Sequence, residues 1–296
     1  MHSKEYTGPR MRRLLLGLLF SGAISFLAYR RRSLSRSGVP GAMVTGTTIV
    51  GLGGWNWGLS LVFFFVSSSL FSHFREREKA RTAADKFSKG SQRDLLQVAA
   101  NGGVATLAAL GYGLLGQRQA AGDLFLAGFT GALATATADT WATELGVLSP
   151  QQPRLLTSGK RVTPGTSGGI TPLGMGATAL GALAQGCIFQ LTRLRQGRHA
   201  RRASRFLPLI ALTSGLAGSL FDSLLGATVQ AMYYCPSCHK ETERRIHNCG
   251  TRTTPLRGLS WLNNDGVNFL ATLFGGLVAM AGTQLMASAS QRGDKK

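Results

Sequence analysis

The feature that most constrains this chain is a series of apolar runs broken by short basic clusters. Eight runs are readable, over residues 14–29, 39–53, 56–73, 95–115, 121–140, 172–192, 206–231 and 267–288. Most approach the ~20 residues a helix needs to cross the hydrocarbon core of a bilayer. Lipid offers no partner for backbone N–H and C=O groups, so runs of this length dictate helices. The spacing predicts an all-α, polytopic membrane protein with about seven to nine transmembrane helices. Residues 1–296 read as one integral membrane domain, with 232–252 as an inserted Cys/His loop. Glycine stands at 39 positions, which suits helices that approach closely in a bilayer. The second run is short and rich in Gly and Thr, as a half-helix or a polar-faced helix would be. Trp55 and Trp57, at the start of the third run, read as an interfacial anchor. The first run continues into "FLAYRRRSLSR" with no small-residue cleavage site, so it reads as a retained span rather than a signal peptide.

The chain carries 33 Lys+Arg against 13 Asp+Glu. Nucleic-acid binders share such a balance, but here the cations lie in short clusters between apolar runs. That is the pattern of cytoplasmic loops, and no nucleic-acid partner is expected. With eight spans, the connections at 30–37, 74–94, 141–171 and 232–266 fall on one side, the cytoplasmic side. The six arginines of 193–205 then fall on the opposite side, against the rule, unless one run is re-entrant.

Three aspartates stand in or beside apolar runs: Asp139, Asp222 and Asp265. A carboxylate there is costly and usually faces a cavity, a partner or a cation; the alternatives are a headgroup-level position or a salt bridge. Asp265 can also act as a helix cap. Around the first two, Gly131, Thr135, Asp139 and Thr143 recur every fourth residue, as do Ser214, Gly218, Asp222 and Gly226. On helices these sets form two small-residue stripes, each with one carboxylate near its end. "LATATADT" and "LAGSLFDS" thus form a weak internal repeat. Glu144 lies about 140° round the helix from Asp139, so it shares a ligand with it only at the helix end.

"VTPGTSGGITPLG" (162–174) is a loop with Gly165, Gly168 and Gly169 flanked by hydroxyls, preceded by Arg154, Lys160 and Arg161. Glycines let backbone N–H groups crowd a phosphate, and the following helix N-terminus adds a favourable dipole. The loop is not a Walker A motif, and by itself it is equally an ordinary turn. Beside two buried acids it reads as a polyphosphate cradle, with the acids holding Mg²⁺ against the same phosphates. Gln97 and Asn101 lie one turn apart, and "WLNNDGVNF" adds Asn263 and Asn264. Amides at membrane depth make ligand contacts or bond helix to helix. "CPSCHKETERRIHNCG" pairs Cys235 and Cys238 at zinc-knuckle spacing, and His247 and Cys249 can complete a closed, structural Cys₃His set. Cys187 lies in an apolar run and reads as packing. No Ser-His-Asp signature is present.

The segments "AGFTGALATATADTWATELGVLS", "PRLLTSGKRVTPGTSGGITPLG", "SLFDSLLGATVQA" and "WLNNDGVNF" resemble the transmembrane protein nineteen family (domain of unknown function ninety-two). The resemblance runs in order from about Ser68 to near residue 285. The family's plant branch is known as phytyl-phosphate kinase. The wider family looks related to dolichol kinases and to CTP-using phosphatidate cytidylyltransferases, which share an Asp-Thr/Ser step in a membrane helix followed by a Gly-containing loop. The cysteine loop departs from the plant and animal members and looks typical of prokaryotic ones. The resemblance implies a kinase that moves the γ-phosphate of a nucleoside triphosphate, CTP or similar, onto an isoprenyl monophosphate such as phytyl or geranylgeranyl phosphate. On that reading Asp139 and Asp222 hold Mg²⁺, with Glu144 secondary, and Asp265 is a third ligand or base. Lys160, Gly165, Thr166, Gly168 and Gly169 cradle phosphates, while Lys79, Lys86 and Arg93 steer the nucleotide. Asn101, Asn263 and Asn264 complete the nucleotide contacts. A lipid cytidylyltransferase and a transporter with intramembrane acids are the alternatives.

Overall fold

The computed structural model describes residues 7–83, 90–116, 119–194 and 205–293. Lys86 and most of the arginine cluster at 193–205 lie outside them. The described helices are α1 (Thr7–Arg30), α2 (Gly38–Thr48), α3 (Trp55–His73), α4 (Glu76–Ala83), α5 (Leu95–Leu115), α6 (Gln119–Gly146), α7 (Pro172–Arg193), α8 (Leu207–Thr228) and α9 (Asn264–Gly293). A π-helical turn, Ile49–Gly53, extends α2. Strands β1 (Arg154–Leu155) and β2 (Gly169–Ile170) pair antiparallel. Strands β3 (Met232–Cys235), β4 (Lys240–Thr242) and β5 (Thr254–Arg257) form an antiparallel sheet in the order β4-β3-β5. The protein is thus a helical polytopic membrane protein with a small sheet between α8 and α9. The sheet reaches Arg257, beyond the 252 expected from the cysteines.

Among the described residues, α1, α5, α7, α8 and α9 are each long and apolar enough to cross a membrane. A sixth span arises if α3 and α4, bent by 65°, count as one. Sequence reading expected seven to nine, and α6 accounts for part of the difference. Its 28 residues would extend about 42 Å, yet it is too rich in Thr, Gly and Ala to pass on hydropathy. Every residue from Leu126 to Ala138 is buried. α6 is an inner helix, packed against α3, α5, α7, α8 and α9. Shielded from lipid by its neighbours, it has no need of large apolar side chains, and small ones let those neighbours close in.

The two stripes face each other. A Cβ on Gly218 would collide with Thr135, as would one on Gly275 of α9. The Thr135 hydroxyl donates to the Ser214 carbonyl at 3.2 Å. α6, α8 and α9 therefore meet with almost no side chain between them. Further along α6 the core is aromatic. Trp57 packs against Tyr112, Phe129 and Phe189 at centroid distances of 4.8, 4.3 and 6.0 Å. Trp57 is only 1% exposed, so it is a core residue and not the expected interfacial anchor; Trp55 is 41% exposed and meets Phe20 edge-on. Buried polar bonds cross the same bundle. Gln185 Nε2 donates to the Ser60 carbonyl and hydroxyl, and the Thr137 hydroxyl donates to Gln185 Oε1 at 3.0 Å, tying α3, α6 and α7.

The connections expected on one side do gather at one end of the bundle. Ser35 N–H donates to the Arg93 carbonyl and Arg93 N–H to the Ser33 carbonyl, joining the α1–α2 and α4–α5 connections. The Ser72 hydroxyl reaches Glu144 at 2.7 Å, and the Ser167 hydroxyl reaches Glu243 at 3.0 Å. The end of α7 at Arg193 lies at the opposite end, over Phe189.

Candidate functional site

Asp139 sits near the C-terminal end of α6 and Asp222 in the last two turns of α8, brought face to face by the packed stripes. Both line one polar cleft of about 120 Å³ with Gly165, Thr166, Ser167, Gly168 and Gly169. Both also line a larger cavity of about 330 Å³, together with Lys79, Arg93, Gln97, Asn101 and Glu144. The two carboxylates thus stand at the junction between a glycine-loop cleft and a cavity lined by charges of both signs and by amides. Glu243 and Asn264 line both spaces as well.

The carboxylates are crowded and poorly compensated. The Ser219 hydroxyl donates to Asp139 Oδ1 at 3.4 Å. Asp222 Oδ2 is buried with no hydrogen-bond partner, and Asp139 and Glu243 both repel the Asp222 charge. Burying like charges without partners is costly, and a bound cation or a shared proton relieves it. Glu243 is held by Gln230 Nε2 at 2.8 Å and by the Ser167 hydroxyl at 3.0 Å. It arrives just after β4, so the sheet delivers a third acid to the pair.

The glycine loop is seated against the end of α8. Gly165 and Gly168 both have φ +79, which a side chain rarely adopts, and a Cβ on Gly168 would strike Ala227. Thr171 caps α7, accepting from Gly174 N–H at 3.0 Å, with Pro172 in the first turn. The N-terminus of α7 therefore opens on the cleft through Thr171 and Gly174.

Other expected residues are placed differently. Lys160 is exposed and lines neither space; the neighbouring Arg154 donates to the Gly159 carbonyl at 3.0 Å and braces the hairpin instead. Asp265 is buried in the first turn of α9 but outside both linings, while Asn264 before it lines both. Asn263, read as a nucleotide contact, accepts from Gly266 N–H at 3.0 Å and caps α9. Lys79 lines the larger cavity, yet it donates to the Phe71 and Ser72 carbonyls at 2.7 and 2.9 Å and to Glu144 Oε2. An ammonium has three donors, so Lys79 is consumed in capping α3 and neutralising Glu144. Glu144 is accordingly a paired acid rather than a metal ligand. Arg93 also lines that cavity. Its Nη1 donates to Ser69 Oγ at 2.8 Å, and burial lowers its pKa to about 10, offset in part by Glu144.

Cys235, Cys238, His247 and Cys249 form a group that could hold a metal such as zinc, their ligand atoms all lying within 4.8 Å of one another. Cys235 and Cys249 sulfurs stand 3.7 Å apart, and His247 Nδ1 lies 3.2 Å from Cys249 Sγ. β3 and the β4 hairpin bring Cys235 and Cys238 to one edge, and the bridge between Ile246 and Arg252 folds His247 and Cys249 back upon them. Hydrogen bonds with Thr251 and then His247 pull the Cys249 thiol down to about 5.

Sequence reading missed Glu243, Ser167, Gln230 and Ser219. No local signal marks Glu243, which sits among the charges of "HKETERR"; only the sheet's docking onto α8 carries it to the aspartates. Part of that docking is visible in Arg257, whose Nη1 donates to the Gly226 carbonyl at 2.8 Å.

With the geometry in hand, comparison with known proteins places the chain. The model for "Integral membrane protein DUF92" matches residues 19–276. The chain belongs to this family. Protein PGR of Arabidopsis thaliana is 36% identical over 285 residues, covering 90% of this chain and 94% of the plant protein. An uncharacterized membrane protein of Methanocaldococcus jannaschii is 28% identical over 268 residues, covering 90% of this chain and 93% of its own. No solved structure matches. The match spans both aspartates, the glycine loop and the Cys₃His group.

Proposed function

We propose that this protein is a membrane-embedded prenyl-phosphate kinase. The observation that carries the reading is the meeting of Asp139, Asp222 and Glu243, with the unpartnered Asp222 Oδ2, between a glycine-loop cleft and a cavity lined by Arg93 and Asn101. The nucleoside triphosphate, CTP or a relative, lies along the glycine loop, where backbone N–H groups and the α7 terminus face its phosphates. The acceptor's phosphate lies on the other side, near Arg93. Its oxygen bonds to the γ-phosphorus, the bond from that phosphorus to the β–γ bridging oxygen breaks, and the nucleoside diphosphate leaves. A phosphate is already ionised at neutral pH, so no strong base is required.

The residues suited to Mg²⁺ are Asp139, Asp222 and Glu243: hard oxygen donors, mutually repelling, one with an orphaned buried oxygen. Bound there, the ion would neutralise charge on the transferring phosphoryl group. The chain's own work is positioning and excluding water, with Asn101 and Asn264 orienting oxygens. The Cys₃His group would hold a structural zinc, since four protein ligands leave no open position. The basic connections at this end favour a site that faces the cytoplasm.

The test is transfer of label from γ-labelled CTP and ATP to a panel of prenyl monophosphates by purified protein in liposomes. Labelled prenyl diphosphate with release of nucleoside diphosphate is expected, and Asp139→Asn should abolish it. Release of pyrophosphate instead identifies a cytidylyltransferase. No labelled lipid from folded, monodisperse protein overturns the reading.

A further inference from the structure

A second space of about 80 Å³ lies beside the polar cavity, among α1, α2, α3 and α5. Arg93, Gln97 and Asn101 line both spaces and stand at their shared boundary. Away from that boundary the walls turn apolar, with Phe20, Ile24, Val50, Val62, Phe64 and Phe65. Small residues keep it open: Ala42 and Thr45 line it, and a Cβ on Gly102 would stand 3.2 Å from Thr45 Cγ2.

We propose that this groove seats the isoprenoid tail of the phosphate acceptor, with its phosphate at Arg93 and Asn101, and that α2 and α5 set the tail length accepted. The assignment rests on the kinase reading for the headgroup chemistry. Three observations carry it. First, the polarity is graded, from carboxylates through one cation and two amides to hydrocarbon, matching a single-chain lipid phosphate entering a metal-phosphate site. Second, Arg93 is fixed where the two spaces meet. It is bonded to Ser69 and lies 5.7 Å over the ring of Phe65, itself a wall of the groove. A guanidinium has further N–H groups to offer a phosphate. Third, the groove lies among helices of the membrane bundle, so a lipid enters it without exposing its tail to water. A space this narrow takes one chain, which separates a prenyl phosphate from a two-chain phosphatidate.

The experiment uses the full-length protein in liposomes and a geranylgeranyl monophosphate carrying a diazirine near its tail end. Photolysis should place the label on the apolar walls at Phe20, Val50 and Val62 and away from Asn101, and unlabelled geranylgeranyl phosphate should compete where phosphatidate does not. Filling the groove with Ala42→Phe should lower the preference for geranylgeranyl over isopentenyl monophosphate, as the ratio of kcat/KM values, by ~10-fold. Cross-linking in the groove without phosphate transfer upholds the tail site and sinks the kinase reading. Transfer with the label elsewhere, and an unchanged preference in Ala42→Phe, overturns the tail site and leaves the kinase reading standing. Equal competition by phosphatidate also overturns it.

Discussion

The molecule holds a thiol-imidazole cluster and a carboxylate cluster, and they are built in opposite ways. Cys235, Cys238, His247 and Cys249 come from one short stretch, and their ligand atoms converge within 4.8 Å. Asp139, Asp222 and Glu243 come from α6, α8 and the sheet, face two cavities, and leave Asp222 Oδ2 without a partner. The first cluster is closed, and a closed set suits a structural ion. The second is open, and its electrostatic strain is what a substrate-borne cation or phosphate complex can relieve. On the proposed reading, closure more than the number of ligands separates a fastening from a working site. Glu243 links the two, since it follows β4 in the cysteine-bearing sheet.

This contrast is breakable in order of expected effect. Asp222→Asn should reduce phosphate transfer by ~10³-fold while leaving the protein folded and its zinc content intact, as removal of an electrostatic contact made in the transition state does. Retained activity, measured by labelled transfer, would remove the open cluster from the chemistry. Glu243→Gln keeps the bonds to Gln230 and Ser167 within reach but removes one charge, so a smaller loss, about 10- to 100-fold, is expected. An equal loss in the two variants would show a three-acid site with no hierarchy.

Cys235→Ser should abolish zinc binding, read by metal analysis, and lower the thermal midpoint. Unchanged zinc content would sink the closed site. Lys79→Ala should destabilise the fold by about 3 kcal/mol, because Glu144 is then left charged in a mostly buried position; denaturant titration checks it. Arg93 gives the pH arm. Burial lowers its pKa to about 10, so the cation is present through neutral pH and is lost as pH rises through that value. A lowered pKa on a cation means the charged form costs the fold stability below it, and that cost fades as pH climbs toward the ordinary arginine range. Acceptor binding should therefore weaken as pH rises through about 10 while the fold does not, and the Arg93→Lys variant should shift that limb. Lys160→Ala, exposed and outside both cavities, should change transfer less than about twofold, the behaviour of ordinary surface positions.

Much of the site was legible because its parts are local. The fourfold spacing of Gly131, Thr135 and Asp139, and of Ser214, Gly218 and Asp222, already requires two close-packed helix faces, each with an acid. The glycine loop and the cysteine motif are likewise contained in short stretches. Where sequence reading went astray, the cause was competition for a side chain's bonds. Lys79 reads from the sequence as a cation that steers the nucleotide, but its three hydrogens go to α3 carbonyls and Glu144. Trp57 looked like an anchor at the membrane surface, but the shape of the aromatic core draws it inside.

The sequence by itself determined that the chain enters a membrane, that it is helical, and which acids sit at depth, because apolar length and four-residue periodicity act within one helix. Only the tertiary structure decided that α6 runs through the centre, that Glu243 joins the aspartates, and that an apolar groove opens behind Arg93. Those three depend on which helices touch, and the contact is set by small residues distant in sequence, as where Gly218 and Gly275 both close on Thr135.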